Sequence, residues 1–221
     1  MILYGAVLSP YVRKVLAYAR EKDITLTLEP VGLAGQPPAF LEASPFRKMP
    51  ALRDPGADGG RDFCISDSSA IIAYLEAKFP APALIPTEPM ARARTIWFDE
   101  LADTIFVGGS GKIFFNRFLA PKILKRAGDE ALAAQAEAEE LPPVCDYLEG
   151  VIPASGFLVE DRLTLADIAV ASPFVNLAHA ECAIDAARWP RLAAYVAAIL
   201  ARPSFAPLVA AEQRMVAALT G

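Results

Sequence analysis

Within its first thirty residues the chain changes hydrophobic period twice, and that change restricts the fold more than any other feature. Ile2-Leu3-Tyr4 reads as a short buried strand, and a Gly-containing turn leads from it to Ser9-Pro10. From Tyr11 to about Glu21 the apolar residues Val12, Val15, Leu16 and Ala19 fall at helical spacing. Thr25-Leu26-Thr27-Leu28-Glu29 then alternates polar and apolar, a strand pattern. A strand–helix–strand unit this compact implies parallel strands joined by a right-handed crossover.

The pattern continues with a short helix over residues 37–43. The strands Ala51-Leu52-Arg53 and Asp62-Phe63-Cys64-Ile65 flank a Pro/Gly-rich turn from Asp54 to Gly60, and a helix runs from Asp67 to Phe79. The predicted order is β-α-β-α-β-β-α. Pro80, Pro82, Pro86 and Pro89 mark a linker, and everything beyond reads helical. The first of these helices spans about Met90 to Phe118, strained near Gly108-Gly109-Ser110-Gly111. A second spans about Asp129 to Leu148, kinked or ended early by Pro142-Pro143, and others begin near Thr164, Trp189 and Ser204. The expected organisation is an α/β domain over 1–79, a linker over 80–89 and an all-α domain over 90–221.

Several function classes are excluded or disfavoured. A net charge of −5 without any Lys/Arg run argues against nucleic acid or an anionic membrane as partner. No apolar window reaches the roughly 18 residues of a spanning helix, and no basic n-region precedes an apolar stretch, so a cytoplasmic protein is expected. Cys64, Cys145 and Cys182 are scattered without CxxC spacing, as befits a reducing compartment. A single histidine, His179, removes His-based zinc sites and makes a Ser-His-Asp triad improbable. No metal is expected.

Three short motifs carry candidate chemistry. Ser9-Pro10 at a helix start is an ordinary N-cap and N1 pair. It is also a place where a hydroxyl and a helix N-terminus could hold a thiolate. Arg47-Lys48-Met49-Pro50 precedes a strand. Its proline is either a plain turn residue or the second half of a cis peptide that turns the Met49 backbone towards a peptide ligand. Ser66-Asp67-Ser68-Ser69 opens the next helix, where capping suffices as an explanation. The same hydroxyl and carboxylate could equally receive the carboxylate and ammonium of a γ-glutamyl group.

In this order, residues 9–15, 47–52 and 66–71 resemble the cytosolic glutathione S-transferase superfamily. Thr164-Leu165-Ala166-Asp167 looks like the buried capping box of that superfamily's helical domain, with a structural role. The resemblance covers essentially the whole chain and implies a thioredoxin-like glutathione-binding domain followed by an all-α bundle. Ser9 matches the activating serine of the serine-type classes. Ser9-Pro10-Tyr11 looks most like the Ser-Pro-Phe of plant tau enzymes, whereas omega and lambda enzymes carry Cys-Pro-Phe.

What the resemblance implies for binding follows the same positions. Met49, beside Pro50, matches the residue whose backbone pairs with the cysteinyl group, and Lys48 the side chain near the glycine end. Ser68 matches the serine that receives the γ-glutamyl carboxylate. Asp67 stands where glutamate is usual, and Ser44-Pro45 replaces the common Asn-Pro. Tyr4 lies inside the first strand and is expected to pack. The resemblance also implies a small hydrophobic electrophile as second substrate, a pocket for it from Tyr11, Phe106, Phe114 and Phe115, and a homodimer. Thiolate addition leads the expected reactions. Peroxide reduction, ether cleavage or dehalogenation, and a non-catalytic ligand- or protein-binding role, are the alternatives.

Overall fold

The computed structural model describes residues 1–220, in two compact units, one over residues 1–84 and one from residue 85 onward, that divide inside the proline-rich stretch. The first unit runs β1 (Ile2–Gly5), α1 (Pro10–Glu21), β2 (Thr27–Pro30), α2 (Pro38–Ala43), β3 (Ala51–Asp58), β4 (Arg61–Ser66) and α3 (Ser68–Lys78). The sheet order is β2-β1-β3-β4, with β1 and β2 parallel and the remaining pairs antiparallel. This is the thioredoxin-like arrangement expected from the sequence.

Local sequence explains most boundaries. On α1, Val12, Val15 and Ala19 are buried at the spacing of one helix face. Its approach to β1 is close enough that a β-carbon on Gly5 would lie 2.4 Å from Val12 Cγ2, so only glycine fits there. Strand β2 begins later than its alternation suggests, since pairing starts at Ile2↔Thr27. It ends on Pro30, which an edge strand tolerates. The expected turn from Asp54 to Gly60 is instead mostly strand. Beyond Arg53 strand β3 has β4 as its only partner, so a register shift between Asp54 and Asp58 absorbs Pro55-Gly56. Gly59 and Gly60, with φ of 58° and 92°, make the reversal.

A buried ion pair ties the edge of this unit together. Lys22 Nζ donates to Glu76 Oε2 at 2.6 Å and to the Pro82 carbonyl. Glu76 also accepts from the Tyr18 hydroxyl and, through Oε1, from the Leu84 N–H at 3.1 Å.

The second unit contains α4 (Pro89–Glu100), α5 (Val107–Phe114), α6 (Glu130–Gln135), α7 (Leu141–Val151), α8 (Leu165–His179), α9 (Pro190–Leu200) and α10 (Ala206–Thr220). Wider π-helical turns over Leu101–Phe106 and Phe115–Ile123 join α4 and α5 into one rod reaching Ile123, and a third over Ala136–Glu140 joins α6 to α7. The strain expected at Gly108-Gly109-Ser110-Gly111 is absent: those residues form regular helix, and the wide turns lie on either side. Glycine at 109 serves contact, because a β-carbon there would approach Glu140 Cβ to 3.0 Å. Pro142 and Pro143 do not end the helical run, which continues from α6 through the wide turn into α7. They sit in the first turn of α7, directly after the wider turn over Ala136–Glu140.

Helix α8 is buried from Leu165 to Leu177 and forms the axis of the helical core. Its start is held by Asp167, which is fully buried. One carboxylate oxygen accepts from Thr164 N–H at 2.9 Å and from the Thr164 hydroxyl at 3.3 Å. The other accepts from Leu158 N–H at 2.9 Å and the Tyr195 hydroxyl at 3.1 Å. Replacing Asp167 by alanine leaves these donors unpaired in the core. Urea denaturation of Asp167→Ala is expected to show a stability loss of about 3 kcal/mol or more, the sum of several orphaned buried groups.

Candidate functional site

The three motifs converge because of strand register. Tyr4 pairs with Ala51 and Ala51 with Ser66, so the end of β1, the start of β3 and the end of β4 form one row across the sheet. The chain leaving β1 reaches Ser9 within four residues, the chain entering β3 comes from Met49-Pro50, and the chain leaving β4 is Asp67-Ser68. Asp67 N–H donates to the Pro50 carbonyl at 3.2 Å, extending the ladder by one bond and joining the second motif to the third.

Ser9 is the N-cap of α1, with extended backbone and Pro10 directly after it. Its Oγ accepts from Val12 N–H at 3.4 Å, a long bond beside the 2.7 Å and 3.0 Å caps that Glu88 and Asp129 give α4 and α6. In that cap the hydroxyl only accepts. Among the described residues its O–H donates to no protein group, so a donor remains at the positive end of a helix.

The Met49-Pro50 peptide is cis. Met49 packs partly against the Tyr4, Phe40 and Ala51 cluster, and among the described residues its N–H and C=O bond to no protein group. The preceding loop is fixed by Ser44, which is fully buried and donates to the Lys48 carbonyl at 2.7 Å. The sequence offered no consequence for Ser44; its small hydroxyl just past the end of α2 was the available signal. Lys48 itself is exposed.

Asp67 caps α3, with Oδ1 accepting from Ser69 N–H at 2.9 Å and Ala70 N–H at 3.2 Å. Its φ of 86° lies in the left-handed region that disfavours a residue with a β-carbon. Ser68 beside it is buried, and Lys14 reaches from α1 to within 3.4 Å of Ser69 Oγ. No local pattern singled out Lys14.

Other expected residues fall elsewhere. Tyr4 is 2% exposed, its ring edge-on to Phe40, and burial pushes its phenol above the ordinary range against the partial opposition of Arg53. It is a packing residue. Tyr11 is half-buried in the first turn of α1. Phe106, Phe114 and Phe115 have different ring neighbours. Phe106 is buried in the helical core against Phe174 at 4.6 Å, Phe114 stacks on Phe118 at 5.3 Å, and Phe115 lies under Arg126 at 5.2 Å. Their helical spacing spreads three rings over three surroundings.

Burial is the main cause that pushes Cys145 and Cys182 up to about 12 and raises Cys64 as well. His179 is bound to Glu212 at 3.4 Å within the helical unit. Among the described residues, no group of three or more His, Cys, Asp or Glu side chains could hold a metal, and no helix is long and apolar enough to cross a membrane.

Residues 3–83 match the family model described as glutathione S-transferase, N-terminal domain, and residues 116–211 match the corresponding C-terminal domain. The chain belongs to the cytosolic glutathione S-transferase superfamily. Glutathione S-transferase 3 of Zea mays is 32% identical over 215 residues, covering 95% of this chain and 93% of the relative. A glutathione S-transferase from Methylobacterium radiotolerans, solved in complex with glutathione sulfonate, superposes with a TM-score of 0.75 at 28% identity, over 94% of this chain and 93% of that one. The superfamily members it resembles are not confined to transferases by name: maleylacetoacetate isomerase of Pseudomonas aeruginosa is 29% identical, covering 76% of this chain and 74% of its own length.

The Asp67 geometry makes a prediction of its own. Asp67→Ala loses the cap and keeps the strained backbone, and is expected to cost about 1–2 kcal/mol in urea denaturation. Asp67→Gly loses the same cap but suits the positive φ, and should cost only a few tenths. Equal losses would mean that the backbone conformation carries no penalty.

Proposed function

We propose that this chain is a serine-type glutathione transferase in which Ser9 holds the glutathione thiol as a thiolate for attack on a small hydrophobic electrophile. The observation that carries the reading is the undonated Ser9 hydroxyl at the N-terminus of α1, on the same sheet end as Met49 and Asp67-Ser68. Met49 N–H and C=O would pair with the cysteinyl backbone, and Lys48 would meet the glycine carboxylate. Ser68 and the first turn of α3 would take the γ-glutamyl carboxylate, with Asp67 facing its ammonium.

A free thiol ionises near pH 8.5, and lowering its pKa by about two units needs roughly 2.7 kcal/mol of preference for the thiolate. One charge-assisted hydrogen bond from Ser9 together with a helix terminus is of that size. Addition then needs no protein base: positioning and thiolate stabilisation carry the rate. We assign Tyr11, two residues beyond Ser9, to the electrophile's surroundings. A cytoplasmic, homodimeric detoxification enzyme is the setting this reading implies.

Ser9→Ala is expected to reduce turnover of chlorodinitrobenzene about ten- to thirtyfold, the kinetic equivalent of the roughly 1.5–2 kcal/mol of one charge-assisted hydrogen bond with the helix terminus left in place, while glutathione affinity by calorimetry changes less than about threefold. Unchanged turnover would remove Ser9 from the mechanism. Cumene hydroperoxide assayed beside it checks the reaction type: faster turnover there would make peroxide reduction the activity.

A further inference from the structure

Within the helical unit, the wide turn over Phe115–Ile123, the start of α6 and the end of α8 border a cavity of about 510 Å³, the size of a small-ligand site. Its walls are held by satisfied polar groups. Asn116 donates to the Lys112 carbonyl at 2.9 Å and accepts from Asp129 N–H at 2.9 Å. A β-carbon on Gly128 would lie 1.8 Å from the Asn116 carbonyl oxygen, so this closure requires glycine. Arg117 is clamped by Glu130 at 2.7 Å and by Glu137 at 2.6 Å.

Three groups that line the cavity differ from these walls. Among the described residues, the Lys122 ammonium, the Glu181 carboxylate and Nδ1 of His179 bond to no protein group. The His179 side chain is only 8% exposed, with Nε2 at 3.4 Å from Glu212 and its ring 5.5 Å from Phe118. An ionised Glu212 can only accept, so Nε2 carries the proton and Nδ1 of the neutral ring presents a lone pair. Glu181 holds a φ of 58°, at the position past a helix end where glycine is usual. The carbonyl end of α8, beside these two groups, also favours positive charge. One side of the cavity therefore suits a cationic donor, whereas Lys122 suits an anion.

We propose that this cavity binds the zwitterionic head group of a free α-amino acid, with its ammonium on His179 Nδ1 and Glu181 and its carboxylate on Lys122. Arg117, already engaged by two carboxylates, leaves Lys122 as the partner for the anion. The site lies wholly within the helical unit and does not depend on the glutathione reading.

His179 is the chain's only histidine, so in protein carrying isotope-labelled histidine a single imidazole reports on the cavity by nuclear magnetic resonance. The common L-amino acids are added singly, at millimolar concentration, to the full chain. At least one is expected to shift the Nδ1 resonance saturably. Its N-acetyl derivative lacks the ammonium and its amide lacks the carboxylate, and each should bind about fivefold more weakly, the upper end for an exposed ion pair. Lys122→Ala and Glu181→Gln change exposed side chains and should each weaken the amino acid by about the same factor. Lys122→Ala should also cease to distinguish the amino acid from its amide. An Nδ1 resonance that no amino acid moves overturns the proposal. So does a derivative that binds as well as its parent, or a pair of variants that leaves the affinity unchanged.

Discussion

The register of three strands is the constraint on which the candidate site depends. Tyr4, Ala51 and Ser66 lie in one row, and the bond from Asp67 N–H to the Pro50 carbonyl carries the ladder one step past the sheet. A slip of one residue in either antiparallel pair would turn every side chain of that strand to the other face and separate the loops that follow. The row is protected by its surroundings: Leu3, Tyr4, Ala51 and Leu52 are buried, and Gly5 lets α1 settle against β1. Because the sheet fixes where the three loops begin, short loops suffice to bring a helix cap, an unbonded backbone segment and a second helix start to the same end.

One feature at that end opposes stability: Asp67 holds a positive φ without being glycine. Strain of this kind persists where the surroundings over-determine it, and it collects at binding sites. The remainder of the unit supplies the compensation through its apolar core and through Glu76, which gathers Tyr18, Lys22 and the Leu84 N–H. The helical unit is organised differently. Its axis is α8, an almost wholly apolar helix fastened at its start by one buried carboxylate.

The sequence disclosed what short-range chemistry decides. The caps at Ser9 and Asp67 and the box at Thr164 and Asp167 involve residues two or three apart, and each could be read from type and spacing. The element order followed from hydrophobic period in the same way. What stayed hidden depends on distant neighbours. Neither the π-helical turns in the 89–123 rod nor the close approach of Gly109 to Glu140 is recorded in any local pattern. Phe106, Phe114 and Phe115 share a helical spacing but not an environment. Lys14 meets Ser69 across 55 residues of chain, and its burial gave no sign in a segment that otherwise reads as an amphipathic helix.

The central claim is that this sheet end ionises a bound thiol. It is tested most directly by following the ultraviolet absorption of the glutathione thiolate across pH with the protein in excess over the ligand. The bound thiol is predicted to titrate about two units below the value near 8.5 of the free thiol. Glutathione that binds but titrates at its free value would contradict the account, whatever the turnover of any variant.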